Sequence, residues 1–170
     1  MHRNFLDFSD LESELADIDV VYYCLGVYQA QASKAQFWEI TVDYLDALVR
    51  SFERTNKNVR FCLFSAQGAS SSGKSPFRFA RAKGHAENVL LASELAEKYV
   101  FRPGFIKPGP QSKNVTLSAT LFDPIYRLFP RIGIDAPDLA GVMIDVGINQ
   151  YNKSVLENRD MRNYVADLQG

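Results

Sequence analysis

Three short runs of apolar, β-favouring residues set the frame: DVVYYCLG at 19–26, NVRFCLF at 58–64 and YVFRPG at 99–104. Apolar runs of this length, without polar alternation, read as strands buried on both faces. Between the first two, Phe37, Ile40, Tyr44, Leu45, Leu48 and Phe52 recur at three- and four-residue intervals, one stripe of a helix closed by the polar TNKN. Between the second and third, a helix is expected from about Phe77 to Glu97, with Ala86, Val89, Leu90 and Leu95 on its buried side. Strands that alternate with helices call for right-handed parallel crossovers, hence an α/β sheet with helices on both faces. Ligands of such sheets bind beyond the carboxyl ends of the strands. A site is therefore expected in LGVYQAQ, SAQGASSSGKS or RPGFIKPGP.

Beyond Pro110 the pattern changes. LSATLFDPIYRLFP is amphipathic but interrupted by Pro124. DAPDLAGVMIDVGIN predicts a helix with Asp135 as N-cap, Pro137 in the first turn, and Leu139, Val142, Met143 and Val146 as its stripe. The 170 residues make one domain. With 19 basic against 20 acidic residues the net charge is −1, so no basic surface excess points to nucleic acid. No apolar run approaches membrane-spanning length and no signal segment opens the chain, so no membrane role and a cytoplasmic location are expected. Cys24 and Cys62 each sit in an apolar run without C-x-x-C spacing, which predicts reduced core thiols. His2 and His85 are the only histidines, so no metal site is expected.

Residues 68–75 read GASSSGKS, the G-x-x-x-x-G-K-S pattern of phosphate-binding loops. In such a loop the Lys-Ser pair begins the helix, yet Pro76 disfavours helical angles at Ser75. Ser65, Ala66 and Gln67 also separate the strand from the first glycine, and DVVYYCLG ends in glycine rather than a magnesium-ordering acid. A nucleotide hydrolase is the weaker reading. Lys74 and Arg81 read as surface charges and Asp145 as a helix-face carboxylate.

Taken as one unit, RFCLFSAQGASSSGKSPFRFARAKGHAENVLL resembles the fifth strand and following helix of short-chain dehydrogenase/reductase proteins, in their NAD-dependent epimerase/dehydratase branch. DVVYYCLG is similar to that family's fourth strand, TVDYLDAL to its Val-Asn segment with Asp43 in the asparagine position, and FRPGFIKPGP to the Arg-Pro stretch over the nicotinamide. LDFSDLESELADID resembles the link from its third strand. The resemblance implies a partial Rossmann-type parallel sheet that binds NAD or NADP, with 111–170 as a C-terminal, helical, substrate-side portion. It implies that Ser65 positions a substrate oxygen and that Lys83 binds the cofactor ribose. Gly26, Val27, Pro103 and Gly104 would contact the cofactor through backbone, and Asp7 and Phe8 would lie beside adenine. A small-molecule substrate is the implied partner.

The chain departs from the family pattern at two places. The family's Gly-rich first turn is absent, so the N-terminal strand–helix units are expected to be missing and the true start to lie upstream. Failing an upstream start, the strand at 19–25 would have a bare edge, to be covered by a homo-oligomer or another partner. Second, the family's catalytic tyrosine position is Phe79. A phenyl ring has no proton to exchange, so impaired chemistry is expected, with Tyr28 as a possible substitute. A non-catalytic dinucleotide-sensing or protein-interaction module is the alternative.

Overall fold

The structure, a computed structural model, describes residues 4–107 and 132–169. The Pro124-interrupted stretch and His2 lie outside the described residues. A short helix α1 (Glu12–Ala16) leads into β1 (Val20–Tyr23). Then come α2 (Lys34–Trp38), a π-helical turn (Glu39–Asp43) and α3 (Tyr44–Thr55), which follow one another without a break. β2 (Arg60–Phe64), α4 (Arg78–Ala92) and β3 (Glu97–Arg102) complete the pattern of strands and crossover helices. The short strands β4 (Phe105–Lys107) and β5 (Gly133–Asp135) pair with each other, and α5 (Ala136–Asn149), β6 (Val155–Glu157) and α6 (Asn158–Gln169) follow.

The main sheet runs β1-β2-β3-β6 with every neighbouring pair parallel. Side chains alternate across it with period two. Phe61, Leu63 and Val100 face α2–α3 and α4, where they pack with Val42, Leu45, Val49, Phe52, Ala86 and Leu90. Cys62, Tyr99 and Phe101 face the other way, against Leu139, Val142, Met143 and Val146 of α5. The segment read as C-terminal thus supplies the helix that covers the second face and the strand that lengthens the sheet. Arg60 Nη1 reaches from β2 to the carbonyls of Gly147 and Ile148 at 2.7 and 2.6 Å, placing a cation at the α5 C-terminus where the helix dipole favours one.

Several expectations are corrected. α4 stops at Ala92 rather than Glu97: Ser93 turns the chain, its N–H bonding Leu90 O at 3.1 Å, and Leu95 is buried from the loop. β1 is not buried on both faces. Among the described residues no strand pairs with its outer edge, which leaves Val20 and Val21 half-buried and Tyr22 39% exposed. Cys24, just beyond β1, is consequently exposed rather than a core thiol, whereas Cys62 is buried. The stripe on the first long helix is also rotated: a π turn admits an extra residue, and Phe37, Thr41, Val42, Leu45, Val49, Ser51 and Phe52 are the buried positions. Asp135 stands at the α5 N-cap as expected, but its side chain makes no cap hydrogen bond.

Candidate functional site

A cavity of about 320 Å³ opens at the carboxyl ends of β1 and β2. Its walls are Cys24 to Tyr28 from the turn after β1, Phe64 to Ala66 from the end of β2, and Phe79 and Lys83 from α4. Phe79 and Lys83 are four residues apart, so helical geometry sets them on one face, and α4 packs that face toward the sheet. Lys83 Nζ donates to Phe64 O at 3.2 Å, the last carbonyl of β2, and makes no other hydrogen bond among the described residues. An ammonium has three protons to give, so two remain for a ligand. Burial pushes the Lys83 amine below the usual lysine range, against the pull of Glu87 and Cys24, which raise it. Although Cys24 is exposed, partial desolvation against the cavity wall pushes its thiol up, and Lys83 draws it partly back.

Ser65 lines the same cavity, but its hydroxyl is committed. It donates to Glu87 Oε1, and Glu87, fully buried, is paired with Arg102. Arg102 Nη1 also holds Glu157 at 2.8 Å, and its Nη2 donates to Ser71 Oγ at 3.1 Å. One guanidinium from β3 therefore ties together α4, the loop after β2 and the end of β6. Neither Glu87 nor Arg102 was singled out from sequence. The i,i+4 relation of Lys83 to Glu87 placed a carboxylate on the same helix face, which was the available signal. Arg102 gave none, because its partners come from three other segments.

Of the remaining expected site residues, Gly26 and Val27 line the cavity, and a Cβ added at Gly26 would meet nothing within 4 Å. Tyr28 also lines it and is 73% exposed, at the rim. Pro103 and Gly104 lie elsewhere, in the exit from β3. There Gln67 N donates to Pro103 O at 2.9 Å and Gly104 N donates to Asn158 Oδ1 at 3.0 Å. Asp7 and Phe8 are also apart from the cavity lining. Asp7 accepts from Ser9 N at 3.0 Å, and Phe8 is buried with its ring 6.4 Å from that of Phe5.

The GASSSGKS string forms an irregular loop across α4. The helix begins at Arg78, so Ser75 lies outside it. Gly68 and Gly73 have φ of +87° and +68°, the left-handed conformation that glycine tolerates best. Arg81, expected as a surface charge, is half-buried: its Nη1 donates to the carbonyls of Ser75 and Pro76 at 2.7 and 3.0 Å. His85 is exposed, with its ring centroid 5.2 Å from that of Trp38. Among the described residues no group of three or more His, Cys, Asp or Glu side chains could hold a metal ion, and no helix is long and apolar enough to cross a membrane.

A parallel sheet covered on both faces by helices, with a cavity at its carboxyl tips, is the Rossmann-type α/β fold. Solved structures share it. The enzyme WbmG of Bordetella bronchiseptica, in complex with NAD, is similar over 100% of this chain and 63% of its own, with a TM-score of 0.64 and 14% identity. RMD of Pseudomonas aeruginosa, complexed with NADPH, is similar over 98% of this chain and 70% of its own, at TM-score 0.64 and 15% identity. A Bacillus halodurans protein assigned as an NAD-dependent epimerase/dehydratase covers 97% of this chain and 76% of its own, at TM-score 0.64 and 16% identity. The chain thus spans under two thirds of the length of WbmG. No family model and no curated protein matches the sequence.

Proposed function

We propose that the chain is a dinucleotide-binding domain of the oxidoreductase/epimerase kind, whose cavity takes the ribose and nicotinamide half of NAD or NADP. The carrying observation is the Lys83 amine. It is drawn into the protein at the strand tips, satisfied by one carbonyl, and left with protons for the hydroxyls of a sugar. Burying an amine without full pairing costs stability, which is most readily understood if a ligand completes it. The open approach at Gly26 suits a ligand lying close to backbone. The solved structures of the same fold that hold NAD and NADPH support the choice of ligand.

The residues present fit the ribose end of that cofactor. Bound, the cofactor supplies hydride transfer; this chain supplies a hydrogen-bonding amine and an apolar wall. Phe79 stands on the Lys83 face and has no proton to move, so carbonyl chemistry is slow or lost, and the domain senses the dinucleotide more than it turns it over. Ser65 acts here as a structural donor to Glu87, and a substrate oxygen is left to Tyr28 at the cavity rim. A small-molecule substrate, a partner strand on the β1 edge that is unpaired among the described residues, and a reducing cytoplasmic setting for the two free thiols complete the reading.

The test is a titration with NADH and NADPH followed by nicotinamide fluorescence. Saturable binding that is lost in Lys83→Met is the expected result. A folded protein that binds neither, or that binds equally well without the amine, overturns the proposal.

A further inference from the structure

A second cleft, of about 330 Å³, lies between the Ser70–Gly73 turn and α4. Arg81, His85 and Asn88 line it at three- and four-residue spacing, on the face of α4 turned away from Lys83. Trp38, at the end of α2, closes it opposite the serines. Nothing in the cofactor reading uses this cleft.

Its wall is built rather than merely exposed. Ser70 N donates to Ala80 O at 2.8 Å, Gly73 N to Ser70 O at 3.0 Å, and Asn88 Nδ2 to Ser71 O at 2.8 Å. Arg81 Nη1 holds two further loop carbonyls, and Gly84 lets the Ser70 backbone lie directly on the helix. The turn is therefore fixed before any ligand arrives, which lowers the ordering cost of binding.

The chemistry of the lining is one-sided. Arg81 Nε and Nη2 carry no hydrogen bond among the described residues, and a guanidinium is suited to the oxygens of a phosphoryl group. Ser70 and Ser72 offer hydroxyls 3.4 Å apart. No carboxylate lines the cleft. The two nearest in sequence are engaged elsewhere: Glu39 accepts from Tyr44 Oη at 3.0 Å, and Glu87 is paired with Arg102. On the opposite side Trp38, 40% exposed, and His85 present two rings with a 5.2 Å centroid separation. Exposed aromatic surface beside an oxyanion-binding wall fits a ligand with a flat ring and a phosphoryl group.

We propose that this cleft binds a phosphate monoester of a small ring-bearing molecule, with Arg81 and the serines taking the phosphoryl oxygens and Trp38 with His85 taking the ring. It is not a phosphate loop of the nucleotide-hydrolase kind, because Lys74 does not line it.

Trp38 is the sole tryptophan of the chain, so its fluorescence reports on the cleft directly. Phenyl phosphate, inorganic phosphate and phenol are titrated at constant ionic strength into the full chain. Phenyl phosphate should saturate with a Kd on the order of 1 mM or tighter. Inorganic phosphate should bind several-fold more weakly and phenol not at all. Arg81→Gln should weaken phenyl phosphate by about tenfold or more. That variant also loses loop contacts, so His85→Gln, which removes only the ring contact with Trp38, is the second arm and should weaken it about fivefold. Lys74→Ala should bind as the parent does. Absence of saturation by phenyl phosphate, equal response to phenol, unchanged binding in a folded His85→Gln, or loss in Lys74→Ala would each overturn the proposal. Dinucleotide binding that persists in His85→Gln keeps this outcome separate from that of the Lys83 cavity.

Discussion

Replacing Gly84 by alanine sets two opposed effects against each other in the middle of α4. Helix propensity alone favours alanine by about 1 kcal/mol. The packing opposes it: the new Cβ would stand 2.0 Å from Ser70 O, 2.2 Å from Ser70 C and 2.8 Å from Ser70 N, all backbone atoms. Carbon contacts settle at roughly 3.5–4.0 Å, so the Ser70 backbone must retreat by more than about 1 Å. That movement breaks the bond from Ser70 N to Ala80 O and strains the one from Asn88 to Ser71 O. Two hydrogen bonds at about 1 kcal/mol each, with overpacking of about 1–3 kcal/mol, exceed the propensity gain. The net expectation is a loss of about 2–4 kcal/mol, or roughly 4–16 °C in Tm for a chain of this size. Gly141→Ala is the paired control. Gly141 lies in α5 and an added Cβ there meets nothing within 4 Å, so this variant should gain up to about 1 kcal/mol. Urea unfolding of both variants is the assay. If Gly84→Ala is as stable as the parent, the loop does not rest on α4 as described and the rigid wall of the second cleft is lost with it.

Lys83→Met should stabilise the chain at neutral pH, because it removes a buried, underpaired ammonium. Folding lowers the Lys83 pKa from 10.5, so the unfolded chain holds the proton more tightly. The penalty is full below the folded pKa and fades as pH rises toward the unfolded value; the advantage of methionine should shrink in alkaline buffer, and a pH-independent difference contradicts the assignment. Glu87→Ala should cost about 3–5 kcal/mol by chemical denaturation, since it takes from Arg102 its fully buried partner, leaving it the more exposed Glu157, and takes from the Ser65 hydroxyl its acceptor; a loss below about 1 kcal/mol would mean the network is not buried as described. Tyr23→Phe should be neutral or stabilising by up to about 1 kcal/mol, because the Tyr23 hydroxyl is buried without a partner among the described residues. Marked destabilisation of that variant would reveal a hidden hydrogen bond. Sedimentation velocity should show concentration-dependent self-association through the β1 edge, which no strand pairs among the described residues, reduced by Tyr22→Lys with Leu25→Lys; a strictly monomeric parent counts against a partner there.

The sheet and its main helices were legible because the two hydrophobic periods are local. RFCLF and KYVFR bury alternate residues on both faces, and the stripe of α5 falls where its spacing placed it. Lys83 was marked by the resemblance and not by its spacing, which says only that it shares a helix face with Phe79 one turn away. What escaped depended on distant chain. Whether β1 is central or at an edge is decided by what pairs with it, not by VVYY itself. The turn to π geometry at Glu39–Asp43 has no signature in EITVD. The commitment of Ser65 to Glu87 needs an arginine that arrives on β3, and the lodging of Ser70 against Gly84 needs the loop to fold back over its own helix. GASSSGKS matched a nucleotide-binding pattern in letters while its backbone did something else.

In the proposed function, dinucleotide binding depends on Lys83 meeting a sugar at the strand tips. A crystal structure of the protein grown with NADPH or NADH measures this directly. The expected result is a ribose hydroxyl within about 3.2 Å of Lys83 Nζ, inside the cavity formed with Gly26 and Phe79. A dinucleotide seated elsewhere, with the amine still bonded to Phe64 O alone, would contradict it.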